Sequence, residues 1–212
     1  MLMIPPTTIP TVVSIITKLA TSIGPTIAKY APIIIKTIGQ NLPDFIKTIE
    51  GISLAADVLK PSEKVDELGA KAMAADKKPE DFDQINDYIN YLRSDVKVDE
   101  STLSSDSIDV TVRRAIGTSI ALKALGSELN TDISLPFLNK VSELGVESKV
   151  LLEIIKSYSE SGLNPDDVEA YIDGELTLNE SDQHGDVLAK AYQKAYPSMT
   201  AEEIDQAVMK DF

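Results

Sequence analysis

Cysteine and tryptophan are absent from this chain of 212 residues, and histidine occurs once, at His184. Without cysteine there can be no disulfide, no thiolate metal site and no cysteine nucleophile. Four Phe and seven Tyr are the only aromatics, so the core has to be built from Ile, Leu, Val and Ala. A sugar cleft, which relies on aromatic platforms, is disfavoured for the same reason. Long apolar runs are missing too: the longest, Tyr30 to Ile35, has Pro32 inside it. No stretch approaches the roughly 18 uninterrupted apolar residues of a standard transmembrane helix. Met1 to Pro6 lacks a basic leader region and is interrupted by Pro5 and Pro6, so a secretory signal is not expected there, and a cytoplasmic location is favoured.

The catalytic inventory is correspondingly thin. A Ser-His-Asp triad would have to use His184, yet the nucleophile-elbow pattern G-x-S-x-G is missing, as are the glycine-rich phosphate loops. His184 therefore reads as a solvent-exposed polar residue near a helix start. A calcium loop counted from Gly174 would place Tyr171 where a carboxylate is required, and one counted from Gly185 would end on Ala191 instead of Glu. The acidic pairs Asp166-Asp167 and Glu202-Glu203 lie where helices begin, positions that acids favour for the macrodipole. These readings exclude metals and cofactors from the expected function and point to a protein that is not an enzyme.

Charge is plentiful and uneven. The formal net charge is −14. Residues 1–60 carry five lysines (18, 29, 36, 47 and 60) against Asp44, Glu50 and Asp57, while the remainder holds 15 basic and 31 acidic side chains. An acidic chain repels phosphate backbones, so no nucleic-acid partner is expected.

The first sixty residues repeat a phrase three times: Pro25 to Lys29, Pro32 to Lys36 and Pro43 to Lys47. Two fifteen-residue units, Pro10 to Gly24 and Pro25 to Gly39, each begin Pro-Thr and end Ile-Gly. Proline opens helices and glycine closes them, so helices are expected over 10–23, 25–38 and 43–59, with Pro32 liable to kink the second. The β-branched run Ile33-Ile34-Ile35 leaves a strand as the alternative there.

Further on, apolar residues recur at helical spacing. Helices are expected over 62–75 with Ser62 as cap, from Pro79 through Arg93, over 108–125, 135–144 and 147–161, from Asn164, from Ser181 or Asp182, and from Thr200. The expectation is an all-α multi-helix bundle: an apolar, proline-punctuated N-terminal segment (1–60), a helical pair (61–94), a polar linker or loop (95–107) and an acidic helical bundle (108–212).

The function expected from this pattern is protein interaction or assembly without catalysis, an adaptor or structural role. The apolar N-terminal helices would supply the contact with a protein partner or a second copy of the chain. The residues assigned to that contact are Ile27, Lys29, Ile34, Lys36, Phe45 and Lys47. Removing residues 1–41 should then abolish association and leave a folded helical remainder. One alternative is insertion of the same helices at a membrane surface, in the manner of a secreted effector. The other is an acidic, immunity-type inhibitor covering a basic toxin.

Overall fold

A computed structural model describes residues 5–212, apart from the side chains of Gln40 and Glu100. Among these residues the chain is all-α, with no strand. The helices are α1 (Ile9–Lys18), α2 (Ala20–Ile23), α3 (Pro25–Ile38), α4 (Leu42–Ala55), α5 (Val65–Ala74), α6 (Ile85–Ser94) and α7 (Ser107–Leu129) in a first compact unit. A second unit holds α8 (Leu135–Leu144), α9 (Ser148–Ser161), α10 (Val168–Ile172), α11 (Leu178–Ala195) and α12 (Ala201–Asp211). The division falls between Asn130 and Thr131. The polar stretch 95–107 thus lies within the first unit, with a 3-10 turn at Glu100–Thr102 and Ser107 already in α7, and that helix belongs there as well.

That helix, α7, is the axis of the first unit. A helix that is apolar on every side has to be enclosed, and α7 is packed against α1, α3, α4, α5 and α6. Nearly every residue from Thr111 to Leu125 is buried. Two of its buried hydroxyls turn back on their own helix, Thr111 Oγ1 donating to the Ser107 carbonyl and Ser119 Oγ to that of Ala115, both at 2.7 Å. The helix stops at Asn130, which takes the left-handed conformation (φ 49°), and not at Gly126 as the glycine suggested.

The closest partner of α7 is α5, and two glycines make the approach possible. A Cβ on Gly117 would lie 1.8 Å from the Val65 carbonyl oxygen, and one on Gly69 would lie 1.9 Å from that of Arg113. The backbones therefore touch directly. Beside this contact Arg113, 6 % exposed, donates from Nε to Asp66 Oδ1 at 2.9 Å and from Nη1 to the Ser104 carbonyl at 3.0 Å. The buried guanidinium is thereby paired and also tied to the loop before α7, as a buried charge requires.

The proline-punctuated segment folds largely as its repeats indicate. α3 begins at Pro25 and ends at Ile38, with Gly24 and Gly39 at positive φ (84° and 55°), and it runs through Pro32 as one helix, so the strand alternative is not realised. The first unit of the repeat is interrupted at Leu19, which separates α1 from α2. Carboxylates from elsewhere close two helix N-termini. Glu80 accepts from Thr26 N at 2.8 Å, and Glu50 accepts from Val65 N at 3.0 Å. Glu50, not Ser62, thus caps α5.

In the second unit α9 packs along α11, α11 along α12, and α8 against the turn at Pro165–Asp167 and α10. Local signals are strong here. Ser134 caps α8, Gly145 and Gly162 end α8 and α9 in the left-handed conformation, and Thr200 with Glu203 forms the capping box of α12. The one displaced start is that of α11. Thr177 and Glu180 form a second capping box, so the helix begins at Leu178, ahead of the expected Ser181 or Asp182.

Candidate functional site

The six residues assigned to a contact surface divide by chemistry. Ile27, Ile34 and Phe45 are completely buried inside the first unit, whereas Lys29, Lys36 and Lys47 are exposed. The apolar faces of α3 and α4 are therefore spent on the unit's own core, and each lysine carries its ammonium out to water. As surface contacts the three apolar residues are displaced by their packing; only the lysines remain available. No helix among the described residues is long and apolar enough to cross a membrane.

Two concavities among the described residues are large enough to hold a side chain or more. The larger, about 1050 Å³, lies in the first unit and is lined by Lys47, Glu50, Lys64, Asp66, Arg113 and Arg114 among others. Its charges mostly neutralise one another: Arg113 with Asp66, Lys64 with Glu50 at 3.4 Å, and Lys47 with Asp44 at 2.9 Å. Those pairs tie helices together and leave little field to select a ligand.

The second concavity is smaller and better defined. It encloses about 200 Å³ in the second unit, with Ile133, Phe137, Ile155, Tyr158, Leu163 and Pro165 forming apolar walls and Asp132, Ser134 and Ser159 at the polar edge. Ser134 Oγ also bonds Asp166, which fixes that edge to the Pro165–Asp167 turn. Behind the wall sits the chain's only histidine. His184 is 3 % exposed, in the interior of α11 and not in an exposed loop as its sequence surroundings suggested. The Tyr158 hydroxyl and His184 Nδ1 share a hydrogen bond of 2.8 Å, donated by the hydroxyl in the Nε2–H tautomer. The Tyr171 ring stacks on the imidazole at 6.2 Å and the Phe137 ring leans on Tyr158 at 5.8 Å.

Burial pushes the Tyr158 hydroxyl well above its ordinary range, so it stays protonated and a donor. Burial likewise pulls the His184 imidazole down, against the weaker pull of Asp167 and Glu180 toward the charged form. His184 bonds a tyrosine and, among the described residues, no serine, so the Ser-His pair of a triad is not assembled on it. Among the described residues no three His, Asp or Glu side chains converge on a point where a metal could sit. The stretch weighed as a calcium loop is α10, a turn and the capping box of α11, and the Glu180 carboxylate is taken by Thr177 N and Oγ1.

A pH dependence follows. The unfolded chain takes up a proton near the ordinary histidine value of 6.5, the folded chain only at lower pH. The contribution of His184 is thus complete above about pH 6.5 and declines as pH falls. The depressed carboxylates Glu180 and Glu203 start from 4.5 and act only below that value. Between pH 7.5 and pH 5 the urea midpoint of the second unit should fall, and in His184→Asn it should fall much less. An equal fall in both proteins would remove His184 as the cause.

No family model matches this chain, and neither a curated protein nor a solved structure does. The missing element in the sequence reading was the assembly of Phe137, Tyr158, Tyr171 and His184. Each is unremarkable in its own helix, and only tertiary packing brings them together. The hint available was scarcity: in a chain poor in aromatics, the few present were worth tracking as a set.

Proposed function

We propose that this chain is a non-catalytic binding protein whose second unit receives one large apolar side chain of a basic partner segment. The carrying observation is an apolar pocket set in a strongly acidic unit. Residues 131–212 hold six lysines against seventeen acidic side chains, a net charge of −11, so most of the chain's net negative charge of −14 belongs to this pocket's unit. At about 200 Å³ the pocket is below the roughly 300–1,000 Å³ of cofactor and drug-sized sites. It suits a single Leu, Met or Phe side chain.

Ile133, Leu163 and Pro165, half-buried at the mouth, supply the surface on which such an anchor is desolvated, with the buried rings of Phe137 and Tyr158 behind them, and Asp132 and Asp166 stand at the edge where flanking Lys or Arg would lie. An inhibitor of a basic toxin is one member of this class. The interaction role expected of the N-terminal helices passes to the second unit, because their apolar faces are already covered.

Labelled peptides with a central Leu or Phe flanked by lysines, titrated against the full chain by fluorescence anisotropy, provide the test. Binding should weaken severalfold as salt rises from about 0.05 to 0.5 M, since exposed charges are screened over a Debye length. It should disappear when the anchor is Ala or the flanks are Glu, and weaken in Leu163→Ala, a half-buried pocket residue. Binding indifferent to the anchor, or absent for every peptide, would count against the proposal.

A further inference from the structure

A second recognition element lies in the first unit, where three of the scarce aromatics meet. The Phe82 and Tyr91 ring centroids are 5.4 Å apart, and Tyr88 adjoins both at 5.6 and 6.3 Å. Tyr88 is fully buried and braces the pair from inside, while Phe82 and Tyr91 are half-buried and reach the surface. Over them sits an ammonium: Lys77 Nζ is 5.7 Å from the Phe82 centroid and 5.4 Å from that of Tyr91. Nζ and the two centroids form a nearly equilateral triangle, so one cation meets both ring faces together.

The occupant is loosely held. Lys77 is exposed, lies in the connection between α5 and the turn at Pro79–Asp81, and forms no ion pair among the described residues. This is notable beside Asp76 and Asp81, because a lysine with carboxylates nearby in sequence has its charge over two rings instead. Both distances are toward the outer end of the roughly 6 Å over which ring quadrupoles hold a cation. Asp87, one helical turn before Tyr91 on α6, adds a negative charge to the same face and has no ion-pair partner among the described residues.

We propose that Phe82 and Tyr91 form a binding site for a methylated ammonium group, closed in the free chain by Lys77. A primary ammonium is strongly hydrated and gives up water reluctantly. A trimethylammonium group has the same charge spread over methyl surface, so two ring faces receive it at lower desolvation cost, the basis of aromatic cages for choline and methyl-lysine. Such a ligand displaces Lys77 into solvent and takes its place, with Asp87 beside it.

The probe is tetramethylammonium chloride, followed by the aromatic NMR signals of Phe82 and Tyr91 in the full chain, with sodium chloride at matched ionic strength as reference. Shifts confined to these rings are expected. Lys77→Ala should bind the probe about two- to five-fold more tightly, since the internal competitor contributes only a modest exposed cation–π energy. Tyr91→Leu and, independently, Phe82→Leu should lose the response while keeping helical circular dichroism; whichever of the two folds suffices. The proposal is overturned if sodium chloride gives the same shifts, if Lys77→Ala binds no more tightly, or if a folded single-ring variant responds like the parent.

Discussion

Gly117→Ala should lower the stability of the first unit by about 2 kcal/mol or more, although alanine is the better helix former by about 1 kcal/mol. The added methyl would lie 1.8 Å from the Val65 carbonyl oxygen, a backbone atom that no rotamer change can move. α5 and α7 must separate by more than an ångström, and with them the Gly69 contact to the Arg113 carbonyl and the alignment of Arg113 with Asp66. Overpacking a well-filled interior commonly costs 1–3 kcal/mol, and here both helix backbones have to give way. Gly117→Leu, with a larger side chain at the same point, should leave the first unit unfolded.

The comparison that isolates the cause is Gly185→Ala in α11. That glycine is also inside a helix, but its added methyl would meet only the Tyr171 hydroxyl at 3.6 Å, an ordinary contact. Alanine there should stabilise the second unit by about 0.5–1 kcal/mol. Urea denaturation of the three proteins decides the matter. A Gly117→Ala midpoint equal to or above the parent's would mean that α5 and α7 are not in backbone contact.

The local grammar of this chain was legible, and the long-range pairing was not. Pro25, Gly24 and Gly39 set the limits of α3 because proline and positive-φ glycine act on the residues beside them. The capping box at Thr200 stands plainly in the sequence, whereas the identical device at Thr177 is masked by His184 and its acidic neighbours, which resemble a loop. What periodicity could not tell was which surface each apolar stripe meets. Ile27, Ile34 and Phe45 form the same pattern whether they face a partner, a membrane or α7, and burial alone distinguishes these cases. Gly117 gave no warning either, since a glycine within a helical pattern signals close approach only once the neighbouring helix is known. The charge asymmetry is visible in the sequence, and its size depends on where the chain is divided. Cut at Asn130 instead of Lys60, it gives −3 for the first unit and −11 for the second.

Deleting residues 1–41 should unfold what remains of the first unit and leave the second folded, the reverse of an N-terminal segment that serves only as a contact surface. The deletion removes α1, α2 and α3, and with them Val12, Ile16, Ile23, Ile27, Ile34, Ile35 and Ile38, all buried. Each such side chain contributes about 1.5–3 kcal/mol when enclosed, so seven together represent roughly 10–20 kcal/mol. The whole stability of a domain is about 5–15 kcal/mol, so the remainder cannot absorb that loss. α7 would present two uncovered faces to water, and the shortened chain should aggregate or bind a hydrophobic dye. The second unit retains its own core of Leu138, Ile154, Leu188 and Tyr192 with its capping boxes intact. In an amide correlation spectrum, dispersed signals should survive for 131–212 and collapse for 42–130. The deletion protein should still bind lysine-flanked Leu peptides with the parent's affinity, because the pocket walls all lie beyond the cut. A cooperative unfolding transition for 42–130 would show that the N-terminal helices are an appendage after all, and would return Lys29, Lys36 and Lys47 with their apolar neighbours to the role of an interface.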